Sequence, residues 1–156
     1  MKLDQFKPLT VYTIYIASTP EKVWQALTDA DLTAQYWGHS NVSDWQVGSE
    51  WEHRRTDGSG VADVVGMVTE SRPPRRLVTT WSDPETRDPA TTSTVTFDLQ
   101  PYGGIVRLTV THEDLADEKD LRDSAGGWAA VLSNLKSLLE TGHPLPQAPW
   151  EMSRSR

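Results

Sequence analysis

The chain has no cysteine, which excludes disulfides, a thiolate nucleophile and thiolate metal sites. It has no run approaching the roughly 18 consecutive apolar residues of a membrane helix, so no membrane insertion is expected. The opening residues MKLDQFKPLT lack the apolar core of a secretion signal, and the expected location is cytoplasmic. Positive charge is in deficit. A formal net charge of -7 repels phosphate backbones and argues against a nucleic-acid partner. Phenylalanine is scarce, two residues against seven tryptophans. Large rings supply core area, and they also line pockets for apolar ligands. A length of 156 residues fits one domain with a single core.

The stretch Ser124 to Gly142 organises the rest. Trp128, Val131, Leu132, Leu135, Leu138 and Leu139 form one broad helical stripe, with Ser133, Asn134, Ser137 and Glu140 expected to face water. Gly142 stands where a left-handed cap belongs, Pro144 forbids continuation, and the start falls between Asp117 and Ser124. Upstream, VYTIYIA (Val11 to Ala17) reads as a first strand. Ser18-Thr19-Pro20-Glu21 reads as a capping box with Ser18 as N-cap, opening a short helix. Asp29-Ala30-Asp31 restarts a second short helix, closed by Gly38.

Six further strands follow between turn signals: Asn41 to Trp45, Ser49 to Thr56, Ala62 to Ser71, Arg76 to Ser82, Thr92 to Gln100 and Ile105 to Asp114. The order predicts an α+β fold, a mostly antiparallel sheet with one face packed on the long helix. Residues 1–142 read as the domain, and 143–156, with prolines at 144, 146 and 149, as a flexible tail.

ASTPEKVWQALTD followed by YWG, then GMVTESRPPRRLVTTW, STVTFDL, RLTVTHEDL and GWAAVLSNLKSLLETG, resemble the activator-of-heat-shock-protein-90-ATPase-like group. That group belongs to the SRPBCC superfamily, which shares the helix-grip fold with START domains and the birch-pollen allergen. The resemblance runs from about Val11 to Gly142. It implies a curved seven-stranded antiparallel sheet wrapped around the C-terminal helix, with a cavity between them. It also implies a hydrophobic or aromatic small-molecule ligand, and an aromatase/cyclase type of reaction as the enzymatic alternative. A homodimer is compatible with it. A chaperone partner ranks behind the small molecule, because the eukaryotic activators carry a separate N-terminal clamping domain and here Met1 to Thr10 precede the first strand.

In a helix-grip fold Trp51, Trp81, Phe97, Val110 and Trp128 would face one cavity, with His53, Arg55 and His112 as polar anchors. A histidine donates, accepts and titrates near neutrality, so His53 and His112 suit a ligand carbonyl or a proton transfer. The plainer role for each is a hydrogen-bonded core residue. Arg55, read on the face of His53, suits a ligand carboxylate, or else solvent. Four histidines at 39, 53, 112 and 143 lack the pairing of a zinc site, and neither a metal nor a cofactor is expected. No Gly-x-Ser-x-Gly elbow occurs, and no catalytic motif is recognised. Glu113-Asp114 with Asp117-Glu118 reads as a helix N-terminus, and Arg72 to Arg76 as a solvated turn. Gly126-Gly127 either lets the helix approach the sheet closely or leaves room for the cavity.

Overall fold

The computed structural model describes residues 7–154. Residues 1–6 and 155–156, the ends of the expected domain and tail, lie outside the described residues. Seven strands form one antiparallel sheet in the order β1-β7-β6-β5-β4-β3-β2. They are β1 (Thr10–Ile16), β2 (His39–Ser43), β3 (Glu50–Arg55), β4 (Ala62–Arg72), β5 (Arg76–Trp81), β6 (Ser93–Tyr102) and β7 (Ile105–Glu113). Helices α1 (Pro20–Thr28) and α2 (Ala30–Trp37) follow β1, and α3 (Glu118–Thr141) closes the sheet. This is the helix-grip architecture.

The alternation in the strands carries the core. Val95, Phe97 and Leu99 on β6 and Val106, Leu108 and Val110 on β7 are buried against Trp128, Leu132, Leu135 and Leu138 of α3. Gly103-Gly104 closes β6 and β7 as a two-residue connection, pairing Tyr102 with Ile105 and, further along, Val95 with His112.

Two expectations are corrected. Thr19, not Ser18, caps α1: its hydroxyl accepts from the Lys22 N–H at 3.2 Å. Pro20 explains the shift, because the residue before a proline is driven to extended backbone, which an N-cap needs. Glu21 therefore falls outside a capping box. Asn134, expected in solvent, is 2% exposed. Its amide donates to Tyr36 O at 3.0 Å and its Oδ1 accepts the Leu145 N–H at 2.7 Å. Two contacts reach the segment beyond α3: the Leu145 N–H bond to Asn134, and Ser137, whose hydroxyl donates to His143 O. Trp150 packs against the core over Gly38, where a β-carbon would lie 3.1 Å from the indole. A helical turn at Pro149–Arg154 presents it. Packing part of a large ring there favours the contact against the entropy of ordering a polar, proline-punctuated segment.

One close approach fixes the sheet locally. Gly66 on β4 sits under the indole of Trp51, which donates to Thr80 O at 2.8 Å. A β-carbon at Gly66 would lie 1.7 Å from that carbonyl oxygen and 2.5 Å from the indole nitrogen. Only glycine permits the bond.

Candidate functional site

The space between sheet and helix is largely filled by rings. Trp81 lies 5.3 Å from Trp51 and 5.6 Å from Trp128, centroid to centroid, and Trp37 lies 5.3 Å from Trp128. Phe97 meets Trp128 edge-on at 5.8 Å. Among Leu27, Trp45, Trp51, Leu77 and Phe97 only about 10 Å³ remains. Room opens instead at the rim, between β5, β6 and the first turns of α3. A cleft of about 460 Å³ there adjoins a smaller recess of about 170 Å³. Trp81, His112, Asp123 and Ser124 line both. The larger adds Asp63, Asp83, Ser93 and Asp120; the smaller adds Trp37, Gly127, Trp128 and Val131.

His112 is the centre of this rim. The Trp128 indole donates to its Nδ1 at 3.1 Å. An indole N–H can only donate, so Nδ1 is unprotonated and Nε2 carries the hydrogen of the neutral ring. Nε2 accordingly donates to Ser93 Oγ at 2.7 Å, and the Ser124 hydroxyl, at 3.0 Å, donates to Nδ1. Burial pushes the His112 pKa down from 6.5 to about 4, so the ring is neutral at pH 7. Both ring nitrogens are held, which fixes the ring plane beside Trp81, 5.3 Å away.

His53 lies deeper along β3. Its Nδ1–H donates to Asn41 Oδ1, and its ring stacks on His39 at 4.0 Å with 7° between planes. Burial, then the neighbouring His39, lowers its pKa to about 3. Asp63 joins the outer end of this group. It accepts from His39 Nε2 at 2.8 Å and from Arg55 Nε at 3.0 Å. The Arg55 and His39 hydrogen bonds hold its carboxyl at a pKa of about 2.

Of the residues named from sequence, Trp81, His112 and Trp128 meet at the cleft. Trp51, Phe97 and Val110 are core, each at most 5% exposed. His53 is buried one layer behind, against Trp51, Trp37 and Trp81. Arg55 is half exposed and bound to Asp63. A bulge between His53 and Arg54 breaks the strict alternation that placed Arg55 with His53. Ser93 and Ser124 escaped the sequence reading, which found no serine paired with a histidine. The signals were present: Ser93 precedes Val95 by two on the inward face, and Ser124 lies four residues before Trp128 on one helix side. A β-carbon at Gly126 or Gly127 would have nothing within 4 Å, which discards the close-approach reading; Gly127 instead leaves the recess open. Among the described residues no three histidine, aspartate or glutamate side chains converge as metal ligands. No helix of the described residues is long and apolar enough to cross a membrane.

Fold and rim together define a helix-grip protein with an aromatic cleft beside its long helix. The chain belongs to the family described as Activator of Hsp90 ATPase homolog 1-like protein, whose model matches residues 17–140. Among solved structures it resembles CalU16 from Micromonospora echinospora, at 23% identity over 95% of this chain and 81% of that one, with a TM-score of 0.73. The Aha1 dimer from Colwellia psychrerythraea matches at 25% identity, over 86% of this chain and 98% of that one, with a TM-score of 0.70. An HSP90 activator from Plasmodium falciparum matches at 26% identity, over 87% and 97%, with a TM-score of 0.69. No curated protein matches the sequence.

Proposed function

We propose that this protein binds a small hydrophobic or aromatic molecule in the cleft between β5, β6 and the start of α3, and not in the sheet–helix interior. The observation that supports it most is the pair of adjoining recesses sharing Trp81, His112 and Ser124. Together they offer ring faces for apolar burial and a few fixed polar groups for orientation, the usual make-up of a ligand site. At roughly 25 cal/mol per Å², about 200 Å² of buried ligand surface supplies on the order of 5 kcal/mol before association entropy. Micromolar affinity therefore needs polar anchors, which Ser93 and Ser124 supply. Arg55 is engaged by Asp63 through Nε and Nη2.

The aromatase/cyclase alternative finds less support, since a neutral His112 with both nitrogens engaged orients a ligand better than it exchanges protons. A protein-interaction role, with a chaperone as partner, rests on the family and on an outer-surface recess lined by Tyr15, Tyr102 and Ile105.

The test is native mass spectrometry of freshly purified protein, with extraction of any bound molecule, repeated on Gly127→Leu. That side chain would fill the smaller recess without meeting the existing structure at its β-carbon. A small-molecule adduct lost in Gly127→Leu is the expected result. An adduct retained unchanged would move the site elsewhere, and none in either protein, with no binding by tryptophan fluorescence, would leave the interaction role ahead.

A further inference from the structure

The lining of the larger cleft is chemically one-sided. It contains Asp63, Asp83, Asp120 and Asp123 and neither lysine nor arginine. Two of the four are neutralised locally, Asp63 by Arg55 at 2.8 Å and Asp123 by Lys119 at 3.0 Å. Among the described residues the Asp83 side chain meets only backbone, accepting the N–H groups of Glu85 and Thr86 through Oδ1. No ion pair to Asp120 occurs among the described residues.

A second feature points into the same cleft from its floor. Because Trp128 fixes the His112 tautomer, Nε2–H donates to Ser93, so the Ser93 oxygen accepts and its own hydrogen must go elsewhere. Ser93 is 8% exposed and lines the cleft, and among the described residues that hydrogen meets no acceptor. The Ser93 hydroxyl is thus left able to donate to an acceptor on a molecule in the cleft. Trp81, two residues before Asp83, lines the same space and presents an indole, the side chain whose ring face best attracts cations.

We infer that the cleft selects an organic cation, an apolar ring body bearing a protonated amine, over carboxylates and neutral molecules of the same shape. The inference rests on the ligand-binding site proposed above. The ring lies against Trp81, the ammonium faces Asp83 and Asp120, and Ser93 donates to an acceptor on the body. A carboxylate would meet charges of its own sign at Asp83 and Asp120, while Arg55 and Lys119 are engaged by Asp63 and Asp123.

Calorimetry with 1-naphthylmethylamine, 1-naphthalenemethanol and 1-naphthoate tests this, with the indole NMR signal of Trp81 reporting location. The amine should bind about tenfold more tightly than the alcohol, with naphthoate weakest, as one or two exposed charge pairs allow. The double variant Asp83→Asn/Asp120→Asn should bring amine and alcohol to within about twofold of each other. Asp83→Asn keeps the Oδ1 acceptor for its turn. Glu21→Gln/Glu151→Gln removes equal charge outside the cleft and should leave the preference intact. Equal loss in both double variants would assign it to the field of the whole acidic molecule and overturn the inference. Alcohol or naphthoate binding as tightly as the amine, with the Trp81 signal shifted, would also overturn it while leaving the ligand site standing. No heat and no Trp81 shift with any of the three would overturn both.

Discussion

The indole N–H of Trp128 meets Nδ1 of His112 at 3.1 Å, and this one contact settles which nitrogen of a buried histidine carries the proton. It joins α3 to β7, and through Nε2 it reaches Ser93 on β6. A single ring thus locks helix and sheet together at the mouth of the cleft.

That lock should be sensitive to acid. Burial lowers the pKa of His112 to about 4 and of His53 to about 3, from 6.5. Below pH 6.5 the unfolded chain takes up protons that the native chain refuses, so the unfolded state is favoured as pH falls. The contribution is fully present above pH 6.5 and is lost progressively toward the folded values. Urea midpoints should decline between about pH 7 and about pH 5, before ordinary carboxylates titrate. A flat midpoint over that range would mean that both rings are charged, or exposed, in the native protein.

Gly66→Ala should be among the most damaging single-methyl additions in the chain. The new β-carbon would collide with Thr80 O and the Trp51 indole nitrogen. Overpacking and a broken buried hydrogen bond together should cost about 3 kcal/mol in urea unfolding. A cost under about 0.5 kcal/mol would show that β4 and β5 yield easily there.

Gly126→Ala should act in the opposite sense. Gly126 is exposed inside α3, and its β-carbon would touch nothing. Replacing glycine inside a helix should add about 0.5–1 kcal/mol of stability. Thermal unfolding checks this, and a fall in the midpoint would indicate a contact that the structure does not contain.

Thr19→Ala should cost about 1 kcal/mol while Ser18→Ala costs little, since only the Thr19 hydroxyl accepts from the first turn of α1. Chemical denaturation of the two variants side by side is sufficient. The reverse ranking would restore Ser18 as the cap.

The N-terminal cap and the buried Asn134 show where reading along the chain falls short. Pro20 was visible, and the restriction it places on Thr19 is local, so that cap was legible in principle. Asn134 was not: whether an amide at the edge of an apolar stripe faces water depends on Tyr36 and Leu145, which come from distant parts of the chain. Trp150 likewise lay in a polar, proline-rich segment, and only the surface over Gly38 gives it somewhere to bury.

Periodicity, turn chemistry and the resemblance determined the fold from sequence alone, because hydrophobic alternation and helical spacing are properties of neighbours in the chain. Even the facing of Val95 and His112 follows from the two-residue turn at Gly103-Gly104. The tertiary structure alone decided that the tryptophans fill the interior and push the open space out to the rim. It also decided that Arg55 faces Asp63, and that Ser93, Ser124 and Trp128 converge on His112. Ring packing and side-chain hydrogen bonding are set by distances between elements remote in sequence, and no local pattern encodes those distances.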